Sequence, residues 1–258
     1  MSCKTGAGGQ ALALIVLLAV APACQSIKHD SKQERIIKSQ LRIITNYLNA
    51  GMPAQSHQEL RSALAKHPNN QDFLRLMGVT QLALNNPTKA ILYLEKVQDL
   101  KPSIVHGLNL SSAYIAANQY ADAKKLLLEL LEHADDYQYK ERLYHNLALI
   151  HERSRKWRTA EKYYLKALSE NPSYYLSLLK LGILYQKHHR YKKAVKYLKR
   201  AQNFCRKCYE PVDHLAATYT QIKRPDLAIK ELTTYSRLTG LEYQERQSAI
   251  ARLKQLRR

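Results

Sequence analysis

Residues 144–172 read YHNLALIHERSRKWRTAEKYYLKALSENP. Their apolar residues step by three and four, the spacing that lays one face of a helix against its neighbours. Residues 175–204, YLSLLKLGILYQKHHRYKKAVKYLKRAQNF, follow the same logic. Small residues recur in phase with these two stretches: Ser56, Ala90, Ala123, Ala160, Ala194 and Ala228, separated by 34, 33, 37, 34 and 34 residues. Four positions after each stands Leu60, Leu94, Leu127, Tyr164, Leu198 or Leu232.

A period of 34 with a small residue at its centre is the signature of tetratricopeptide repeats, helix–turn–helix units that bury their faces by stacking. With Ala160 as position 20 of its repeat, position 8 should be small where the two helices cross. It reads Gly78, Ser111, Ala148, Gly182 and Ala216, with Ile44 as the departure in the first unit. Position 7 is apolar throughout: Ile43, Met77, Leu110, Leu147, Leu181 and Leu215. Position 11 holds Tyr47, Tyr114, Tyr185 and Tyr219, with Gln81 and His151 departing. Pro68, Pro102 and Pro172 stand where a proline can end a second helix. The fold expected is an all-α tetratricopeptide-repeat solenoid. Six units are placed at 37–70, 71–103, 104–137, 141–174, 175–208 and 209–242, with 138–140 as a loop insertion. Ile250, Leu253 and Leu256 mark a terminal helix over 243–258 that caps the last unit.

The N-terminus supplies an address. Residues 11–23, ALALIVLLAVAPA, are uncharged and apolar, and as a helix would reach only about 20 Å, too short to cross a bilayer. The run ends in Ala21-Pro22-Ala23 before Cys24, which reads as a secretory signal over 1–23. An ordinary signal peptidase would accept the small residues, while Cys24 directly after the cut resembles the lipobox of bacterial lipoproteins. Lipidation of Cys24 is the favoured expectation, and Gln25 after it favours the outer membrane. Residues 24–36 then form the lipidated cysteine, a tether and the first helix start, with Ser31 and Glu34 as a capping box. A tether of roughly six residues reaches about 20 Å at most.

The chain carries 41 basic and 21 acidic residues. Arg158, Lys162, Lys166, Lys192, Lys193, Lys196, Lys199 and Arg200 concentrate on the second helices of units four and five. The plain reading is a solvated outer face; the sharper one is attraction to anionic phospholipid or an acidic partner. Nucleic acid is set aside, because an exported chain rarely meets it. Cys205 and Cys208 read as a candidate local disulfide in an oxidising compartment. A redox CxxC motif and half of a zinc site are the alternatives. No phosphate-cradling glycine loop is present. His188-His189 reads as a turn, and Glu129, Glu132, Asp135 and Asp136 as a solvated loop. No catalytic constellation, metal site or cofactor is implied, which points to a binding scaffold rather than an enzyme.

In this fold positions 2, 5, 9 and 12 of the first helices line the inner groove. They include Val105, Leu108, Ser112, Ile115, His145, Leu149, Leu179 and Ile183, flanked by Arg75, Arg142, Glu152 and Lys187. An apolar floor with a polar rim suits a protein segment. A signal ending at cysteine, six repeats and a final helix together resemble the PilF/PilW family of type IV pilus biogenesis lipoproteins. The stretch Tyr139–Ala167 looks like that family's fourth unit and its approach. The resemblance implies an outer-membrane pilotin that binds secretin subunits and aids their assembly. On it, Leu41, Arg42, Arg75, Val79 and Leu82, nearest the anchor, would handle the subunit. The runner-up is a periplasmic adaptor that recruits envelope or peptidoglycan-remodelling proteins.

Overall fold

The computed structural model describes residues 32–133 and 139–256, and every regular element among them is a helix. The expected signal segment, Cys24, Ser31, Asp135, Asp136, Arg257 and Arg258 lie outside the described residues. Two compact units divide between Leu100 and Lys101.

The first unit holds α1 (32–49), α2 (Pro53–Lys66), α3 (Gln71–Ala83) and α4 (Pro87–Leu100). Pro53 sits in the first turn of α2, where a missing N–H costs nothing. The Asn70 side chain caps α3 by accepting from the Phe73 amide at 3.0 Å. Ile44, Leu60, Phe73, Leu76 and Met77 form one apolar cluster across α1, α2 and α3.

The second unit runs through α5 (Ile104–Ala116), α6 (Tyr120–Glu132), α7 (Lys140–Arg153), α8 (Trp157–Glu170), α9 (Tyr175–Lys187), α10 (Tyr191–Phe204), α11 (Tyr209–Gln221), α12 (Pro225–Ser236) and α13 (Tyr243–Leu256). Lys140 is thus the first residue of α7 rather than part of a loop insertion. The pairs α5–α6, α7–α8, α9–α10 and α11–α12 pack as hairpins, and α13 lies on α12. The seam of α13 runs through buried Ala249 and Leu253, with Ile250 and Leu256 only half-buried. Arg246 ties α13 back by donating to the carbonyls of Ser236 at 2.9 Å and Leu238 at 2.7 Å.

All six small residues of the repeat column and all six large ones four positions later are 0% exposed. The crossing within each hairpin explains them. A methyl group on Gly78 would stand 2.5 Å from Leu94 Cγ, and one on Gly182 would stand 2.7 Å from Leu198 Cγ. Position 8 must therefore be small because the residue at position 24 fills the space beside it.

A further column is invisible to hydrophobic patterning. Gly51, Asn85, Asn118, Arg155, His189 and Lys223 all have positive φ, between 57° and 68°, at one position of the frame. Each ends a first helix. The amide that follows it bonds back to the carbonyl five residues earlier, from Met52 to Tyr47 through Arg224 to Tyr219, at 2.8–2.9 Å. This is the 6→1 bond of a Schellman-type cap, which needs a left-handed residue.

Polar groups join successive repeats. The hydroxyls of Ser56 and Thr80 share a hydrogen bond at 2.9 Å between α2 and α3. Asn146 Nδ2 donates to Ser111 Oγ at 3.1 Å, back toward the third repeat. His145 Nδ1 meets Ser177 Oγ at 2.9 Å, forward toward the fifth. His145 is 5% exposed and Leu108 is 2% exposed, and Leu179 and Ile183 are buried with them. These four were expected on the groove and belong instead to the core. First helices contact across repeats, α5 on α7 and α9 on α11, so inner-face residues are covered by the next repeat.

Burial, with the charge of Lys180 as a lesser cause, drives the His145 imidazole from 6.5 down to about 3. A neutral histidine in the native state disfavours the proton that the unfolded chain accepts. Its stabilising effect is therefore complete above pH 6.5 and declines as pH falls toward 3, by at most about 1.4 kcal/mol per pH unit.

Three outcomes follow for unfolding in denaturant. Gly182→Val forces α9 from α10 and lowers stability by roughly 1–3 kcal/mol. Lys223→Gly relieves a left-handed lysine and raises it by roughly 0.5–1 kcal/mol. His145→Gln destabilises the protein at pH 7 but flattens its loss of stability between pH 6.5 and 5; an unchanged slope would assign that loss to other groups.

Candidate functional site

Helices α7, α8 and α9 enclose a cleft of about 600 Å³ in the second unit. Its floor is apolar: Leu149 from α7, Leu184 from α9, and Trp157, the first residue of α8 and the single tryptophan of the chain. Arg153 and Arg155 rise from the end of α7 and the turn after it, and Lys180, Lys187 and His188 from α9 and its cap. Trp157 is held on several sides. The His188 ring stacks on it at 4.5 Å between centroids, and the guanidinium groups of Arg158 and Arg190 lie 5.2 and 4.9 Å from its centre. Such stacking fixes an aromatic group that would otherwise rotate freely at a helix start.

One carboxylate, Glu152, lines the cleft. Its Oε2 accepts from the buried Tyr164 hydroxyl at 2.7 Å and its Oε1 from Lys187 Nζ at 3.4 Å. Burial and the adjacent carboxylate push the Tyr164 phenol far above its ordinary value, so it stays a donor. Tyr164 takes the place of the leucine usual at its column, and its hydroxyl positions Glu152 from below.

A second cleft of about 830 Å³ opens beyond the α9–α10 turn. Tyr191, Val195, Tyr219 and Ile222 form its apolar surface, and Arg190, Lys192 and Lys193 its rim. Arg190 and Lys193 lie 3.5 and 3.9 Å from Glu161, which also accepts from the Tyr185 hydroxyl at 2.7 Å.

The basic residues of α8 and α10 are mostly exposed and interleaved with tyrosines. Lys166 lies over the rings of Tyr144 and Tyr163, and Lys196 and Arg200 over Tyr197. Lys199 is 3.5 Å from Glu231. No acidic residue occurs in α10. Phe204, 56% exposed, ends that helix.

The other residues expected at the groove fall into distinct environments. Leu149, Glu152 and Lys187 meet in the 600 Å³ cleft. Ser112 is half-buried and spends its hydroxyl on the Leu108 carbonyl at 2.9 Å. Ile115 is half-buried against the Leu108 cluster. Arg142 lies 5.6 Å from the centre of the Tyr139 ring. In the first unit, Leu41 packs on the core, Arg42 is exposed, Val79 and Leu82 are half-buried, and Arg75 pairs with Asp72 at 3.6 Å. No cleft among those described gathers these five first-unit residues. Arg153, Arg155, Trp157, Lys180 and Leu184 line the 600 Å³ cleft but stand at none of the groove positions of the repeat frame. The signal for Trp157 was present, a lone tryptophan beside Arg158, but its stacking partner comes from the next repeat.

Cys205 and Cys208 are joined as a disulfide, with Cα atoms 5.3 Å apart. They are the residues that end α10 and precede α11, in the place where Pro68, Pro102 and Pro172 lie two residues beyond other second helices. Among the described residues, no group of three or more histidine, cysteine or acidic side chains is placed to hold a metal.

The tetratricopeptide-repeat family model matches residues 41–103 and 145–207. No curated protein matches the sequence. Among known structures, PilF of Pseudomonas aeruginosa is similar over 83% of this chain and 96% of its own, at 21% identity and a TM-score of 0.58. PilW, described as a widely conserved type IV pilus biogenesis factor, is similar over 83% of this chain and 97% of its own, at 14% identity and a TM-score of 0.64. Yeast Tom70 is similar over 79% of this chain, which spans 43% of the Tom70 chain, at 18% identity and a TM-score of 0.63. At such identities the likeness is one of fold. Such repeats serve in general as protein-binding scaffolds. Paired helices, a buried small-residue column in every repeat and the family model on two stretches together show that the fold of this chain is an all-α tetratricopeptide-repeat solenoid.

Proposed function

We propose that this protein is a lipid-anchored pilotin of the bacterial outer membrane, which binds secretin subunits on its periplasmic face and promotes their assembly in type IV pilus biogenesis. The observation that carries it is the joint match of architecture and address. The chain spans 96% of PilF and 97% of PilW, and its sequence places Cys24 directly after an apolar run ending in Ala-Pro-Ala. An acylated Cys24 holds the repeats within a short tether of the bilayer. Several acyl chains are needed for stable anchoring, as one is only marginal. Confinement raises the local concentration of a bound subunit where it must insert. The cleft lined by Leu149, Trp157 and Leu184 offers the subunit an apolar floor with a charged rim. The outer faces of α8 and α10, with Lys162, Lys166, Lys192 and Lys196, meet anionic phospholipid headgroups, an attraction that salt weakens.

Deleting the gene in the producing bacterium and resolving its secretin on unheated detergent gels tests the role. The expected result is loss of detergent-resistant multimers, restored by the wild-type chain and not by Cys24→Ala. Multimers at the wild-type level in the deletion strain would remove the pilotin role and leave the recruitment of other envelope proteins as the function to pursue.

A further inference from the structure

The cleft between the fourth and fifth repeats carries more positive charge than its own carboxylate neutralises. Arg153, Arg155, Lys180 and Lys187 line it against Glu152 alone. Glu152 is already engaged by the Tyr164 hydroxyl and by Lys187. Lys180 reaches Glu210 only at 4.0 Å. Among the described residues, Arg153 and Arg155 have no carboxylate within 4 Å. Beyond the α9–α10 turn the second cleft differs, because two of its rim cations, Arg190 and Lys193, already pair with Glu161.

We infer that this cleft binds an acidic polypeptide segment, whose carboxylates pair with Arg153 and Arg155 while an apolar neighbour packs on Leu149, Leu184 and Trp157. The inference deepens the protein-binding role proposed above and rests on it. Guanidinium groups present paired donors that match a carboxylate, and they are less strongly hydrated than ammonium groups, so they suit a partly buried ion pair. The recess has the volume of a site for a few side chains, which an extended chain can fill. A bilayer meets a flat surface such as the outer faces of α8 and α10 and cannot enter the recess. The stacked Trp157 gives the segment a rigid aromatic wall, the residue type that anchors binding surfaces.

Because Trp157 is the only tryptophan, its fluorescence reports on the cleft directly in the full chain. The probes are a capped twelve-residue peptide alternating glutamate and leucine, the same peptide with glutamine for glutamate, and phosphatidylglycerol vesicles. The acidic peptide is expected to shift Trp157 emission saturably, with affinity that weakens as salt rises. The double variant Arg153→Gln with Arg155→Asn should weaken it by about tenfold. Asparagine already serves at the position of Arg155 in two other repeats, as Asn85 and Asn118, so the variant keeps its helical circular dichroism. Three results overturn the inference: equal binding of the glutamine peptide, no response to the acidic peptide, or a response to the vesicles alone. So does an unchanged affinity in the folded double variant. Equal binding of both peptides would discard acidity while leaving the protein-binding role intact, and that role stands or falls separately on the secretin gels.

Discussion

The close crossing of two helices inside each repeat is the constraint from which the rest follows. At Gly78 and Gly182 the space for a single methyl group is already occupied by Leu94 and Leu198. That proximity lets a leucine or tyrosine at position 24 be wholly buried although each hairpin is only two helices thick. Each hairpin still exposes an apolar flank, and within each unit stacking on the neighbouring helices removes it from water. The left-handed turn after every first helix sets the chain on its return path, and its regular 6→1 bond recurs in all six repeats.

Among the described residues, three of the polar contacts between repeats are buried. Ser56 with Thr80, Asn146 with Ser111, and His145 with Ser177 each join neighbouring repeats. Buried polar groups left unpaired are costly, so such pairs penalise a slipped or mismatched stack. His145 illustrates the consequence. Its position on the first helix is one that could face a partner, yet the next repeat covers it, and the ring is kept neutral. It works as a joint between repeats.

Function is left to the positions the crossing does not dictate. Around Trp157 the variable positions supply four cations and one committed carboxylate. Tyr164 links them to the column residues: its ring fills the core at position 24, and its hydroxyl fixes Glu152 at the edge of the cleft. A core substitution thus reaches into the binding surface. The Cys205–Cys208 disulfide has the same modular character, closing one inter-repeat turn where other repeats use proline.

The period of the small residues, readable from Ser56 to Ala228, was sufficient by itself to determine the repeat fold, because burial at a helix crossing demands small side chains at fixed intervals. The partners of those residues within each hairpin followed from the same frame, as did the helical cap at the C-terminus, although its seam runs through Ala249 rather than Ile250. Two things were decided only by tertiary structure. The left-handed column of Gly51, Asn85, Asn118, Arg155, His189 and Lys223 carries no shared side-chain chemistry, since a backbone bond sets it. Inner-face positions divided between core and surface according to what the adjacent repeat covers, burying Leu108 and His145 and leaving Leu149 with Arg153, Trp157 and Lys180 in a cleft. A single-repeat frame describes a helix against its own partner, and contacts made across repeats depend on stacking that no one repeat encodes.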